Sequence, residues 1–110
     1  GYGDGYVEIN QTPHQHSVLL SSDGAILEWP AKTFGDLEAS HFNQMIDLKP
    51  ELILIGTGSR QQFPKPELLK SLILAKIGFE IMDSQAACRT YNILVGEGRK
   101  VLLALIVESS

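Results

Sequence analysis

Three stretches of this chain carry residue types and spacings able to do chemistry. The first is Gly56-Thr57-Gly58-Ser59-Arg60, which follows the apolar run Leu52-Ile53-Leu54-Ile55. Glycines at the exit of a buried strand let backbone amides approach an anion, and Arg60 supplies a charge. The stretch therefore fits a carboxylate, phosphate or peptide-backbone site. It is not a nucleotide fingerprint. A dinucleotide loop opens its third glycine directly onto a helix and a Walker loop needs Gly-Lys-Ser/Thr, whereas Gln61-Gln62-Phe63-Pro64 intervenes here. The plainer reading is a tight turn at the strand exit.

The second stretch holds Cys88, placed in the first turns of an expected helix beside Arg89, where helix dipole and cation both favour thiolate. Flanked by Ala86, Ala87, Thr90 and Tyr91, it equally fits a small hydrophobe packed on a sheet. The histidines are distant in sequence: His14 and His16 precede a strand and His41 falls on an amphipathic helix, so only the fold could bring one to Cys88. His14 and His16 would share a face if presented from a strand, but two ligands do not complete a transition-metal site, and a solvated loop is the plainer reading. The third stretch is Arg89, Asn92, Glu97 and Arg99. These residues could lock the last helix to the sheet through ion pairs, including Glu97 with Arg99. Alternatively Arg60, Arg89 and Asn92 could face Gly56 and Gly58 across a shallow anion pocket.

The elements that must position these residues are legible from periodicity. Tyr6-Val7-Glu8-Ile9 alternates, Ser17 to Leu20 is a short apolar run, and Ala25 to Trp29 follows Ser22-Asp23-Gly24, an Asp-Gly hairpin signal. From Asp36, Leu37, Phe42, Met45, Ile46 and Leu48 fall near a 3.6 period, predicting an amphipathic helix ended by Lys49-Pro50. The fully apolar Leu52–Ile55 predicts a strand covered on both faces. Pro66 fits a first helical position, and Leu68, Leu69, Leu72, Ile73 and Lys76 continue a helix stopped by Gly78. Phe79 to Met82 reads as a strand. Asp83 or Ser84 then caps a helix to about Gly96, with Ala87, Tyr91, Leu94 and Val95 on one stripe. Val101 to Val107 is too long and apolar for an edge and predicts a central strand. Strands alternating with helices imply a parallel or mixed sheet covered on both faces, preceded by an antiparallel hairpin.

Composition bounds the function classes. The 110 residues are 44% hydrophobic and 20% charged, which suits one domain over residues 1–110; Phe63-Pro64-Lys65-Pro66 is too short to link two. Nine Lys plus Arg against thirteen Asp plus Glu give net charge −4 with no basic run, which argues against nucleic acid. The longest apolar runs fall far short of the roughly 20 residues of a membrane helix, and with no charged, apolar and small-residue leader pattern at its start the chain is expected to be a soluble protein. A single cysteine excludes an intrachain disulfide and a Cys-rich zinc site, and fits a reducing compartment.

Glu51 to Gly58, then Glu80 to Ser84, Ala87-Cys88-Arg89-Thr90-Tyr91-Asn92-Ile93-Leu94 and Glu97-Gly98-Arg99 occur in that order. With Tyr2-Gly3-Asp4-Gly5-Tyr6 and Trp29, the chain resembles the small single-domain family that includes mitochondrial respiratory complex I assembly factor three and the adipogenesis-associated methanobacterial-type domain protein. Bacterial members are mostly of unknown function. The Cys-Arg-Thr-Tyr-Asn and Glu-Gly-Arg pair is the specific part. Ser84 stands where the family usually has Thr, and Leu103 where small residues are common. The resemblance implies an α/β, three-layer architecture with a mixed five-stranded central sheet, helices on both faces and a small additional N-terminal β element.

The resulting expectation is a noncatalytic interaction protein resembling the assembly factors, with an unidentified protein partner, no nucleic acid and no membrane insertion, as a monomer or homodimer. No catalytic residue, metal or cofactor is assigned. The alternative is a small-molecule or anion-binding protein, or a cryptic enzyme, using a crevice lined by Gly56, Thr57, Gly58, Arg60, Ser84, Cys88, Arg89 and Asn92. A bacterial protein of this kind is expected in the cytoplasm; a mitochondrial one would have lost a presequence.

Overall fold

Residues with the longest apolar runs take the centre of the sheet, and the chain order follows from that. The computed structural model describes residues 2–3, 6–9 and 12–108, up to residue 13 by the backbone alone. Three short strands, β1 (Tyr2–Gly3), β2 (Tyr6–Ile9) and β3 (Thr12–His14), form a small antiparallel sheet in that order, the additional β element expected. Asp4 and Gly5 of the N-terminal motif lie outside the described residues. β4 (Val18–Ser21) and β5 (Ile26–Glu28) form the hairpin. Gly24 takes φ 95° at its turn, a left-handed conformation that glycine adopts without steric cost.

Helix α1 (Ala39–Ile46), strand β6 (Leu52–Gly56), helix α2 (Lys70–Leu74), strand β7 (Gly78–Met82), helix α3 (Ser84–Gly96) and strand β8 (Val101–Leu105) complete the fold. The main sheet has the order β5-β4-β8-β6-β7. β8 pairs antiparallel with β4 and parallel with β6, and β6 pairs parallel with β7, so the sheet is mixed and five-stranded as expected. Successive side chains of a strand point to opposite faces, and both faces are covered. Ile53, Ile55, Leu102 and Ala104 meet Trp29, Phe42, Met45, Leu69 and Leu72 on the α1/α2 side. Leu54, Leu103 and Leu105 meet Ala87 and Tyr91 of α3 on the other. The Tyr91 hydroxyl crosses to donate 2.9 Å to the Ser21 carbonyl.

Two helices are shorter than their apolar periodicity predicts. Phe34–Asp36 form a 3-10 turn and Leu37 and Glu38 are extended, so the first helix begins at Ala39, not Asp36. The cause is a local cap: the Glu38 N–H donates to His41 Nδ1 at 2.9 Å, fixing the chain entry at Glu38. Downstream, Pro66–Leu69 is a 3-10 turn with Pro66 at its first position, and α2 ends at Leu74. Lys76 lies outside the helix at φ 58°, where Ile77 N–H bonds the Leu72 carbonyl (3.1 Å) and Lys76 N–H bonds that of Ile73 (3.0 Å). This Schellman closure, not Gly78, stops the helix. Gly78 instead opens β7, paired with Leu52. No helix among the described residues is long and apolar enough to cross a membrane.

Candidate functional site

In an open α/β sheet, ligands collect at the carboxyl ends of parallel strands where the connections depart to opposite faces. Here the connection leaving β6 runs through α2 over the α1/α2 face and the one leaving β7 runs through α3 on the other, so that point falls at the ends of β6 and β7, between Gly56 and Met82, where α3 begins. The space there is occupied by the protein itself. A Cβ on Gly56 would lie 2.6 Å from Leu105 Cδ2, 2.9 Å from Ser84 Oγ and 3.0 Å from Ser84 Cα. The Ile106 N–H donates to the Gly56 carbonyl at 2.9 Å and carries the pairing one residue further.

The loop beyond Gly56 is tied to the start of α3 by reciprocal bonds. The Gly58 N–H donates 2.8 Å to Ser84 Oγ, and the Ser84 N–H donates 2.8 Å to the Gly58 carbonyl. Gly58 sits at φ 102° with no atom within 4 Å of where a Cβ would be, so its requirement is conformational while that of Gly56 is steric. Fully buried Thr57 is the hub. Its N–H donates to the Met82 carbonyl (3.0 Å), and its hydroxyl lies 2.8 Å from the Arg60 carbonyl and accepts from the Gln62 N–H at 3.0 Å. Asp83 caps α3, its carboxylate accepting from the Ala86 N–H at 2.9 Å.

The structure therefore brings Gly56, Thr57, Gly58 and Ser84 into one corner, with Arg60 joined through its backbone and its side chain exposed. The amides of Gly58 and Ser84, the donors an anion would need, are already bonded within the corner. Arg89 and Asn92 are exposed on α3, and their side chains make no hydrogen bond among the described residues. Glu51, not Glu97, partners Arg99, at 3.4 Å between exposed side chains. Such a pair contributes about 0–1 kcal/mol. His14 is half-buried at the end of β3 and His16 exposed beyond it. Gln61 and Gln62, which in sequence only interrupted a nucleotide loop, are structural here: Gln62 Nε2 donates to the Thr57 carbonyl (3.3 Å) and Gln61 Nε2 to that of Ile81 (2.9 Å). Nothing in a glutamine's identity signals such a bond beforehand.

Cys88 is half-buried and packs against the apolar cluster under α3. Burial pushes its thiol above the ordinary value, and the Arg89 guanidinium only partly opposes this, so the residue sits on the hydrophobic side of the two sequence alternatives. Burial, assisted by Asp23, likewise raises the Tyr91 phenol. Both groups hold their protons to higher pH folded than unfolded. Stability is therefore complete below the unfolded-state values and falls as pH rises through the folded ones. Urea midpoints should decline from pH 8 toward pH 11, and Cys88→Ala should flatten the first part of the decline. A midpoint that rises over that span, or a Cys88 that alkylates faster than free cysteine at pH 8, contradicts this.

Comparison with known proteins agrees with this architecture. Residues 1–106 match the family described as a protein of unknown function, DUF498/DUF598. The 13 kDa major membrane protein of Francisella tularensis is 34% identical over 107 residues, spanning 96% of this chain and 86% of that protein. NADH dehydrogenase (ubiquinone) 1 alpha subcomplex assembly factor 3 of Xenopus tropicalis is 34% identical over 84 residues, which is 74% of this chain but 46% of the assembly factor. A crystal structure from Bordetella parapertussis superposes with TM-score 0.89 at 44% identity, over 97% of this chain and 92% of that one. A Bordetella pertussis solution structure described as a Mth938-like domain gives 0.86 at 35% identity, over 100% and 85%.

Proposed function

This chain belongs to the DUF498/DUF598 family, which includes the complex I assembly factor 3 proteins, and from that premise we propose that it is a noncatalytic interaction protein. Its partner is a protein in the course of folding or assembly, and its setting the cytoplasm. One observation carries the reading. The corner where an α/β sheet of this topology would hold a small ligand is closed by Ser84 and Leu105 against Gly56, and its amides are bonded to one another. A catalytic or ligand-binding site needs unspent donors and room; a scaffold needs a rigid corner.

A second reading, an anion-binding surface, is supported by Arg60 and Arg89, both exposed, the first on the loop at this corner and the second on α3. Affinity purification of the tagged protein from its host, compared with an Arg60→Glu, Arg89→Glu variant shown to be folded by circular dichroism, separates the two. A stoichiometric protein partner bound by the wild type supports the interaction reading, and its loss from the variant places the surface beside the corner. No protein partner, but a small anion carried by the wild type and absent from the variant, overturns it in favour of the second.

A further inference from the structure

Building on the interaction reading, we propose that the outer edge of β7 is the docking strand: it takes an extended segment of a protein partner as an additional strand, with a cationic side chain of that segment opposite Glu80. β7 ends the sheet and pairs only with β6 among the described residues. The Met82 carbonyl accepts from Thr57 and so faces β6. Alternation along the strand then turns the N–H and C=O groups of Phe79 and Ile81 outward. The Ile81 carbonyl is met at 2.9 Å by the side chain of exposed Gln61, a flexible amide standing where a partner's N–H would stand.

Beyond the Gln61 side chain and one charge, the edge lacks the usual protections of an unpaired strand. It has no proline, its register with β6 runs unbroken from Gly78 to Met82, and its one charge is Glu80. Phe79 and Ile81 are half-buried against the α1/α2-side core, which leaves an apolar rim. Phe63, two residues beyond Gln61, is 69% exposed. Backbone groups with flanking apolar surface are what strand addition uses for affinity.

Charge decides the occupant. In an antiparallel pairing of two copies, the register that engages Phe79 and Ile81 of both sets Glu80 against Glu80, and like charges directly opposite are destabilising. A segment with Lys or Arg at that position, and apolar residues on either side of it over Phe79 and Ile81, complements the edge instead.

Capped heptapeptides with a central lysine or a central glutamate, each flanked by valines in a threonine background, test this by amide NMR at low salt. The lysine peptide is expected to shift and protect the Phe79 and Ile81 amides and to bind about fivefold more tightly than the glutamate peptide. Glu80→Lys, an exposed change compatible with the fold, should invert that preference. Equal binding of both peptides, shifts centred away from β7, or no binding at millimolar peptide overturns the proposal. A stoichiometric partner that the Glu80→Lys protein still captures from the host overturns the edge but leaves the interaction reading standing. Peptide selectivity at β7 with no partner captured supports the edge and counts against that reading.

Discussion

Gly56→Val lowers the melting temperature by about 10–20 °C, corresponding to roughly 3 kcal/mol of overpacking. The clash is with parts that cannot yield together: Leu105 is fully buried, and the Ser84 contact includes its Cα, fixed where α3 begins and where Gly58 bonds it on both sides. Gly96→Ala is the matched control. No atom lies within 4 Å of its Cβ position, and alanine in the last turn of α3 should be neutral or add up to about 1 kcal/mol. Thermal melts by circular dichroism read both. A Gly56→Val protein that melts with the wild type would show that the corner is loose and the closed-crevice argument wrong.

Trp29→Ala is expected to cost about 3–5 kcal/mol, the range for deleting a large buried aromatic. Trp29 is fully buried after β5 and clamps α1. Its indole N–H donates 2.9 Å to the His41 carbonyl, and its ring meets Phe42 edge-on with centroids 6.1 Å apart. Trp29→Phe keeps most of the apolar contact and loses the hydrogen bond, so its cost should be about 1–2 kcal/mol. Urea midpoints followed by far-ultraviolet circular dichroism give the ordering, because the chain has no second tryptophan to serve as a probe. If the two variants are equally destabilised, the hydrogen bond to α1 and not the packing is what Trp29 contributes.

The fold was legible wherever a pattern is set by burial. Leu52–Ile55 and Val101–Leu105 are apolar on both faces because both faces are covered, and their continuous runs say so without any structure. Asp83 as a cap and Gly24 in a turn are local chemistry, equally readable. Boundaries set by a single tertiary or side-chain bond were not. The His41 cap delays α1 past Leu37, which is buried although it is not helical, and lysine rather than glycine takes the left-handed position after α2 because Ile77 packs into the core beyond it. At the candidate site, proximity of the Gly56–Arg60 loop to the start of α3 follows from topology alone. That the loop's amides are consumed by Ser84 and its glycine filled by Leu105 depends on distances no residue pattern encodes.

The place of β8 in the sheet also constrains how the chain reaches this state. β8 lies between β4 and β6, so the outward backbone groups of Val18 and Leu20 must wait for Leu105 and Leu103, across most of the chain's length, while Ser17 and Ser21 already bond the β5 side. Closing so long a loop is entropically slow, and pairings of high sequence separation set folding rates. During synthesis the β4–β5 hairpin and the β6–α2–β7 unit emerge before the strand that joins them. Until then, Leu19 and Leu54, both fully buried at the end, remain exposed to any holdase that reaches them first. A protein whose own sheet stays divided in this way until its central strand arrives should refold in a single late step, with the two halves gaining amide protection together.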